Sequence, residues 1–249
     1  MDDARWPTVD PYLPREEILA FLRHSRLRLI GMIPWGSNAT FLAYGEGEAL
    51  NGLVIYKPRA GETPLWDFPQ GTLCLREYAA YLISEALGWS LVPPTVLRDG
   101  PHGFGAVQLF IPADPEETYF TLRDRFVDQF QRIAVFDVIT NNADRKAGHV
   151  LRDERDHIWA IDHGITFHAE PKLRTVIWDF AGAPIPETIL TGVERLAHAL
   201  GPATPLRRDL EALLSGDEIE ALCKRVQRVL TTQTFPYPGP GRAVPWPLV

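Results

Sequence analysis

The sequence predicts an α+β protein in which an N-terminal antiparallel sheet with one helix precedes a mainly helical C-terminal half. Residues 27–58 alternate apolar and polar side chains between turn-rich stretches, which is typical of antiparallel strands. Residues 112–119 contain two prolines and no apolar period, and from residue 122 the apolar spacing becomes helical. We therefore predict an N-terminal lobe over residues 1–112 and a C-terminal lobe over residues 113–249.

Local signals define the elements of the N-terminal lobe. Residues 14–23 begin with a proline and two acids near the start, as helices do, and an amphipathic helix over residues 73–87 ends before Gly88. The stretch 59–72, which directly precedes this second helix, is rich in glycine and proline and is predicted to be a loop. Strands are predicted over residues 28–33, 40–44, 53–58, 92–97 and 105–111.

The C-terminal lobe is predicted to open with one long buried helix over residues 122–140. A charged turn between two apolar runs, 149–152 and 157–161, predicts a tight hairpin. The proline-rich segment 235–249 is expected to lie on the surface or to clasp another element. Further helices are predicted over residues 187–200, 206–214 and 217–231.

Composition restricts the partners and the compartment. A net charge of −7 argues against binding to nucleic acid or to an anionic membrane, because both attract a basic face. No segment approaches 18 continuous apolar residues, so we expect a cytoplasmic protein without membrane insertion. Cys74 and Cys223 lack C-x-x-C spacing, which favours reduced thiols over a disulfide framework or a zinc site. The sequence does not indicate an oligomeric state.

A dense polar cluster follows the predicted buried helix at residues 141–149, and such a cluster is costly unless something binds it. Because a hairpin returns the chain to its start, Asp162 is expected beside Asp144. Two carboxylates with a nearby cation fit phosphoryl transfer: Asp144 would accept the proton of the attacking hydroxyl, Asp162 would bind a metal, and Lys146 or Arg145 would supply positive charge.

A structural alternative explains the same cluster. Asn141 and Asn142 tolerate left-handed conformations, so they fit a helix C-cap. Asp144 and Arg145 would then form a surface ion pair. Spacing alone does not separate this interpretation from the catalytic one.

Residues upstream favour the catalytic interpretation. Lys57 ends a predicted strand, and Glu77 lies on the following helix, close to its apolar face and able to pair with the lysine. A strand lysine paired with a helix glutamate is how protein kinases hold the α- and β-phosphates of ATP. A tip of small residues that includes Ser37 and Asn38 joins the first two strands, where backbone N–H groups could cradle phosphate.

The order of these features resembles the atypical kinases of the phosphatidylinositol 3-/4-kinase and HipA-like superfamily. It is most similar to short bacterial proteins related to phosphatidylinositol kinases. The resemblance covers roughly residues 27–167, and the segment around Asp162 is similar to the metal-binding segment of type II phosphatidylinositol 4-kinases. That segment reads Ala160-Ile161-Asp162-His163-Gly164-Ile165-Thr166-Phe167.

The resemblance implies a two-lobed protein-kinase-like fold that uses ATP with Mg²⁺ or Mn²⁺. Asp144 would be the catalytic aspartate, with Arg145 and Lys146 beside it, and Asp162 would be the principal metal ligand. Lys57 would bind phosphate with Glu77 as its partner. The strand that contains Gln108 and Phe110 would hold adenine through its backbone.

One position departs from the family pattern. A metal-binding asparagine usually lies five positions after the catalytic aspartate, where this chain has His149. Imidazole is a poor ligand for Mg²⁺ and suits softer metals. Either His149 binds phosphate or metal in a different geometry, or Mn²⁺ replaces Mg²⁺, or Asn142 takes part in metal binding.

Three functional hypotheses follow, and the first is the leading one. The first is an ATP-dependent kinase whose acceptor, a protein or a small molecule, the sequence does not identify; no platform for a peptide substrate is evident. The second is a nucleotide-binding pseudokinase that acts as a scaffold or sensor, which His149 motivates. The third is a metal-dependent hydrolase, for which the candidate ligands are Asp144, His149, Asp162, His163 and His168.

Overall fold

The structure, a computed structural model, describes residues 6–34 and 38–249. Ser37, a predicted phosphate contact, lies outside the described residues. The chain divides into two compact units. The first comprises Met1–Tyr78 and Pro93–Pro112, and the second comprises Ala79–Val92 and Ala113–Val249.

A five-stranded antiparallel sheet forms the first unit, in the order β1-β2-β3-β5-β4. The first three strands form the predicted meander, and β5 lies between β3 and β4 so that Lys57 on β3 is opposite Ala106. The strands are β1 (Arg26–Met32), β2 (Phe41–Glu46), β3 (Asn51–Pro58), β4 (Thr95–Gly100) and β5 (Gly103–Leu109).

Strand β4 begins later than the predicted range 92–97. Pro93 and Pro94 have no N–H to give to a ladder, so they lead into the strand instead of pairing within it. Helix α1 (Arg15–His24) covers the sheet, as predicted. Its buried face includes Ile18 and Leu22, and the Arg98 guanidinium on β4 donates to the Leu22 carbonyl at 3.1 Å.

Helix α2 (Leu73–Leu87) has the predicted bounds, and its two halves belong to different units. Its first half carries Glu77 in the first unit. In the second unit, the Ser84 hydroxyl oxygen accepts the Leu91 N–H at 2.8 Å, and the Leu91 carbonyl accepts the Ala160 N–H at 2.7 Å. The second half of α2 is thereby tied to the strand that ends at Ala160.

Cys74, at the start of α2, provides a test of the first unit. Its thiol is buried, and burial together with the nearby Glu62 carboxylate raises its pKa to about 12. Because the thiolate is the reactive form, we expect iodoacetamide at pH 8 to modify the more accessible Cys223 and to leave Cys74 unmodified until urea unfolds the protein. Mass spectrometry of both cysteine peptides checks this, and equal labelling in the folded protein would contradict it.

The same pKa shift has a defined sign for stability. The unfolded thiol ionises near its ordinary pKa of 9.0, whereas the folded thiol stays protonated to about 12. The unfolded state therefore gains stability from ionisation as the pH rises above 9, and the free energy of unfolding is expected to fall there.

The second unit is mainly helical around one small hairpin. The predicted helix over residues 122–140 is wrong in its continuity, because α3 ends at Leu122 and α4 begins at Val127. Between them Phe126 leaves the helical conformation, and both Leu122 and Phe126 are buried. The elements are α3 (Tyr119–Leu122), α4 (Val127–Thr140), β6 (Val150–Arg152), β7 (Ile158–Ala160), α5 (Glu187–Ala199), α6 (Pro205–Glu211) and α7 (Gly216–Thr232).

The terminal helices pack onto α4 through α7. A capping box fixes the start of α7, since the Ser215 hydroxyl accepts the Glu218 N–H and the Glu218 carboxylate accepts the Ser215 N–H. Helix α7 contacts both α4 and α5. Within residues 6–34 and 38–249, no helix is both long enough and apolar enough to cross a membrane.

Candidate active site

A buried ion pair between Asp137 and Arg145 lies at the centre of the candidate site in the second unit. Both side chains are 0% exposed. The Arg145 Nε donates to both carboxylate oxygens of Asp137 at 3.1 and 3.0 Å, and the second terminal nitrogen reaches Oδ1 at 3.0 Å. This ion pair ties the loop that follows α4 to the buried side of that helix.

The other donors of Arg145 hold the two segments that carry the candidate catalytic residues. Its first terminal nitrogen donates to the carbonyls of His149 and Ile161, each at 2.9 Å. The predicted Asp144–Arg145 surface pair is therefore wrong, because Arg145 is inside and its carboxylate partner is Asp137. The role of Arg145 in this arrangement is to position neighbouring residues.

The two asparagines shape the turn out of α4. Asn141 is the left-handed C-cap of α4, with φ of 52°, which confirms the C-cap part of the structural alternative. The Asn142 amide nitrogen donates to Asp137 at 3.0 Å, and its amide oxygen accepts the Asp144 N–H at 3.0 Å. The backbone of Asn141 thus turns the chain out of α4, and the Asn142 side chain fixes the backbone of Asp144.

Asp144 is the partly exposed carboxylate of this loop. Its side chain is 28% exposed, and its Oδ2 lies 3.6 Å from the Lys146 Nζ. Burial raises its pKa above the ordinary value, the charge of Lys146 opposes that rise, and the charge of Asp162 adds to it. As the hairpin predicts, the segment before Asp162 returns to this loop, because the Ile161 N–H donates to the His149 carbonyl at 3.1 Å.

Asp162 follows the hairpin of β6 and β7 in a left-handed conformation, with φ of 62°. Its carboxylate is half exposed, and its Oδ2 lies 3.4 Å from the His149 Nε2. The His149 Nδ1 accepts the Lys146 N–H at 3.4 Å, so the neutral imidazole carries its proton on Nε2, facing Asp162. His149 and Asp162 are therefore neighbours, as the metal-site prediction requires.

The other two histidines named for a hydrolase lie elsewhere in this loop system. His163 is fully buried, its Nε2 lies 2.7 Å from a terminal nitrogen of Arg145, and its ring meets Phe136 edge-on. The His168 Nδ1 accepts the Glu170 N–H at 3.0 Å. Across residues 6–34 and 38–249, no group of three or more His, Cys, Asp and Glu side chains could hold a metal ion.

In the first unit, the predicted pairing of Lys57 with Glu77 is confirmed. The Lys57 Nζ forms an ion pair with the Glu77 Oε1, and the two side chains are 20% and 3% exposed. Side chains alternate between the two faces of a strand, so Lys57 lies on the opposite face of β3 from the fully buried Tyr56. On that face its ammonium group reaches the Glu77 carboxylate. The lysine is thus held by a carboxylate that has left water almost completely.

The remaining predicted nucleotide contacts are spread over the same unit. Gln108 is buried on β5, and its amide donates to the Thr95 hydroxyl on β4 at 2.9 Å. Phe110 directly follows the end of β5. The Asn38 amide oxygen accepts the Thr63 N–H at 2.8 Å, which ties the tip between β1 and β2 to the loop after β3.

Sequence reasoning missed Asp137 and Thr175. Asp137 receives Arg145, Asn142 and also the Thr175 hydroxyl at 3.3 Å. The available signal was a single carboxylate inside an otherwise apolar stretch of α4. Such a group needs a buried partner, and Arg145 is the nearest cation after the helix.

The sequence of the chain is similar to those of known proteins. Residues 99–195 match the family model described as phosphatidylinositol 3- and 4-kinase. The chain is 40% identical to Protein Rv2133c of Mycobacterium tuberculosis, over 94% of this chain and 96% of that protein. It is 34% identical to phosphatidylinositol 4-kinase gamma 4 of rice, over 38% of this chain and 20% of that protein.

Two solved structures share the fold at low sequence identity. The Golgi casein kinase with Mn/ADP bound aligns with a TM-score of 0.55 and 13% identity, over 87% of this chain and 74% of that chain. The Helicobacter pylori proinflammatory kinase CtkA aligns with a TM-score of 0.53 and 13% identity, over 92% and 95%. The predicted kinase-like α+β fold is thereby confirmed.

The matched residues 99–195 include Asp144 and Asp162. The chain belongs to the phosphatidylinositol 3-/4-kinase-related family of atypical kinases, among the short bacterial members that include Rv2133c.

Proposed function

We propose that this protein transfers the γ-phosphoryl group of ATP to an acceptor hydroxyl, with Asp144 as the catalytic base. The observation that carries the proposal is the state of Asp144: it is partly exposed, its pKa is raised, and a buried ion pair holds its loop. A base with a raised pKa on a rigid support is suited to proton abstraction.

In the proposed step, the acceptor oxygen forms a bond to the γ-phosphorus while its proton passes to an oxygen of Asp144. The bond from the γ-phosphorus to the bridging oxygen breaks, and ADP leaves with that electron pair. Lys146, whose Nζ is 3.6 Å from Asp144, supplies positive charge to the transferring group.

The residues around Asp162 fit a hard divalent cation, Mg²⁺ or Mn²⁺. The Asp162 carboxylate is accessible and is oriented by the His149 imidazole, and such ions are held by one or two carboxylates together with substrate phosphates. When bound, the cation would neutralise phosphate charge. We propose Asp162 as its ligand and His149 as the residue that orients Asp162. Asn142 supports the loop from inside, since its amide oxygen accepts the Asp144 N–H.

For ATP itself, we propose that Lys57 contacts phosphate oxygens and that Glu77 fixes the direction of the lysine. The backbone after β5, near Gln108 and Phe110, is proposed to hold adenine. Ser37 and Asn38 are kept as phosphate contacts of the tip between β1 and β2. These assignments rest on the family pattern and on the Lys57–Glu77 ion pair.

The decisive experiment follows ATP consumption and labelled product by the purified full chain with Mg²⁺ and with Mn²⁺. Metal-dependent transfer would support the kinase. ATP binding without any turnover in either metal would instead support the nucleotide-binding pseudokinase, which His149 in place of asparagine favours. Absence of both binding and turnover would refute the two together.

The nucleotide assignment makes a separate prediction. Replacing Lys57 by alanine is expected to lower kcat/KM for ATP about 10- to 100-fold, because a charge-assisted hydrogen bond to phosphate is lost. Lys224→Ala is the matched control, since Lys224 pairs with Glu220 on the surface of α7 with 80% and 68% exposure. Equal kinetics for the two variants would remove Lys57 from the ATP site.

A further inference from the structure

The proline-rich segment near the end of the second unit lies along the loop that carries Asp144. The Leu248 carbonyl accepts the Ala147 N–H at 2.8 Å. A Cβ placed on Gly148 would lie 3.8 Å from the Val249 side chain. One end of the segment 242–249 is therefore fixed three residues after Asp144.

The other end of this segment is fixed to the chain that supports the same loop. The Ala243 carbonyl accepts both the Thr175 N–H and the Trp178 indole N–H, each at 3.1 Å. Thr175 in turn forms a parallel bridge with Arg145. Ala243, Thr175 and Arg145 thus lie on three neighbouring chain segments that are joined through their backbones. Pro245, which lies between the two points of attachment, is buried.

This placement uses the backbone donors that an extended peptide would need. Peptides commonly bind by pairing with exposed backbone N–H and C=O groups, and here the Ala147 and Thr175 N–H groups already have partners in the segment. Segment 242–249 contains no Ser, Thr or Tyr, so its side chains offer no hydroxyl group to Asp144. Yet Asp144 stays 28% exposed, which leaves access for a small molecule.

The positive charge of Arg242 in segment 242–249 also indicates a class of acceptor. The exposed Arg242 is held by its Nε, which donates to the Val244 carbonyl at 3.1 Å. Arg242 directly precedes Ala243, whose carbonyl accepts the Thr175 N–H, and Thr175 pairs with Arg145 beside Asp144. The positive charge of Arg242 opposes the rise in the pKa of Asp144, as does that of Lys146, whose Nζ is 3.6 Å from the carboxylate. Cations from two separate segments, the loop of Asp144 and segment 242–249, therefore act on the proposed base, although the chain as a whole is acidic.

We infer that the acceptor is a small hydroxyl compound with an anionic group, and that Arg242 binds this group, while segment 242–249 excludes polypeptides. The inference rests on the proposed kinase function and adds the substrate class. A soluble phosphate ester and a phospholipid headgroup share this chemistry, so the experiment has to distinguish these two sources.

The test measures transfer from labelled ATP by the full chain to three kinds of acceptor. Soluble pairs with and without an anionic group are glycerol 3-phosphate with glycerol, and glucose 6-phosphate with glucose. Vesicles that contain phosphatidylinositol represent the headgroup source, and casein represents polypeptides. We expect the anionic compounds to be preferred over their neutral counterparts at least about tenfold, the gain of a charge-assisted contact, with casein unlabelled.

Variants of one residue assign the preference. Arg242→Ala is expected to raise KM for the anionic acceptor about tenfold and to remove the anionic-over-neutral ratio, because the charge-assisted contact is lost. Arg242→Lys should restore most of that ratio. Arg228→Ala, an exposed arginine on α7, is the control and should leave it unchanged.

The outcomes separate the inference from the function beneath it. Labelled lipid with little soluble product assigns the headgroup source, and the reverse assigns the soluble ester; either supports the inference. Labelling of casein in preference to small acceptors, or equal losses for anionic and neutral acceptors in Arg242→Ala, would overturn it while leaving the kinase intact. Absence of ATP turnover with every acceptor would overturn the proposed function and the inference with it.

Discussion

Replacement of Asp144 by asparagine is expected to lower the rate of phosphoryl transfer about 10²–10⁴-fold, the usual contribution of a positioned general base. Asparagine has nearly the same size, so the backbone bond from the Asp144 N–H to the Asn142 amide oxygen should persist. It cannot take a proton from the acceptor, however. Single-turnover transfer from labelled ATP measures the loss, and ATP binding is expected to change little.

Asp124→Asn is the matched control, because Asp124 is an exposed aspartate between α3 and α4. Its transfer rate should equal that of the unchanged protein. Turnover of the Asp144→Asn variant at the full rate would show that another group accepts the proton. Loss of ATP binding along with transfer would instead indicate that the loop had lost its structure.

Replacement of Asp137 by alanine is expected to lower the free energy of unfolding by about 3–5 kcal/mol, because it leaves the Arg145 guanidinium buried without its carboxylate. Both side chains are 0% exposed, so the guanidinium has no contact with bulk water in the folded protein. Urea unfolding at pH 7 measures the change. Glu220→Ala breaks an exposed pair with Lys224 and should cost less than about 1 kcal/mol.

A double replacement separates stability from positioning. Asp137→Leu with Arg145→Met puts apolar side chains in place of the whole pair, and such exchanges are often neutral for stability. The variant should regain much of the lost stability yet remain poor in transfer, because no guanidinium then holds the His149 and Ile161 carbonyls. Full recovery of both properties would reduce the pair to a packing role.

The parts of the site that the sequence predicted well depend on local patterns. Alternation along β3 and helical periodicity in α2 together bring Lys57 to Glu77, and a short charged turn is enough to predict the hairpin before Asp162. Each of these features is determined within about twenty residues of chain. Local rules therefore gave the α+β class and the pairing of Lys57 with Glu77, whereas the family resemblance implied the kinase-like fold and the roles of the candidate residues.

The parts that were missed depend on contacts between distant segments. Arg145 stands between Asp144 and Lys146 in a polar stretch, so its neighbours suggest a surface position, whereas Asp137 draws it inside. The bonds from Ala147 to Leu248 and from Thr175 to Ala243 have no periodic signature at all. The break of the predicted helix at Phe126 likewise depends on which side chains the interior can hold.

The attachment of Leu248 to Ala147 also bears on how the protein folds. Contacts between segments far apart in sequence require closure of a long loop and form slowly, whereas helices and hairpins form from local contacts. We therefore expect α4 and the hairpin of β6 and β7 to form before the loop around Asp144 acquires its final hydrogen bonds. Catalytic competence would then be among the last properties that the folding chain gains.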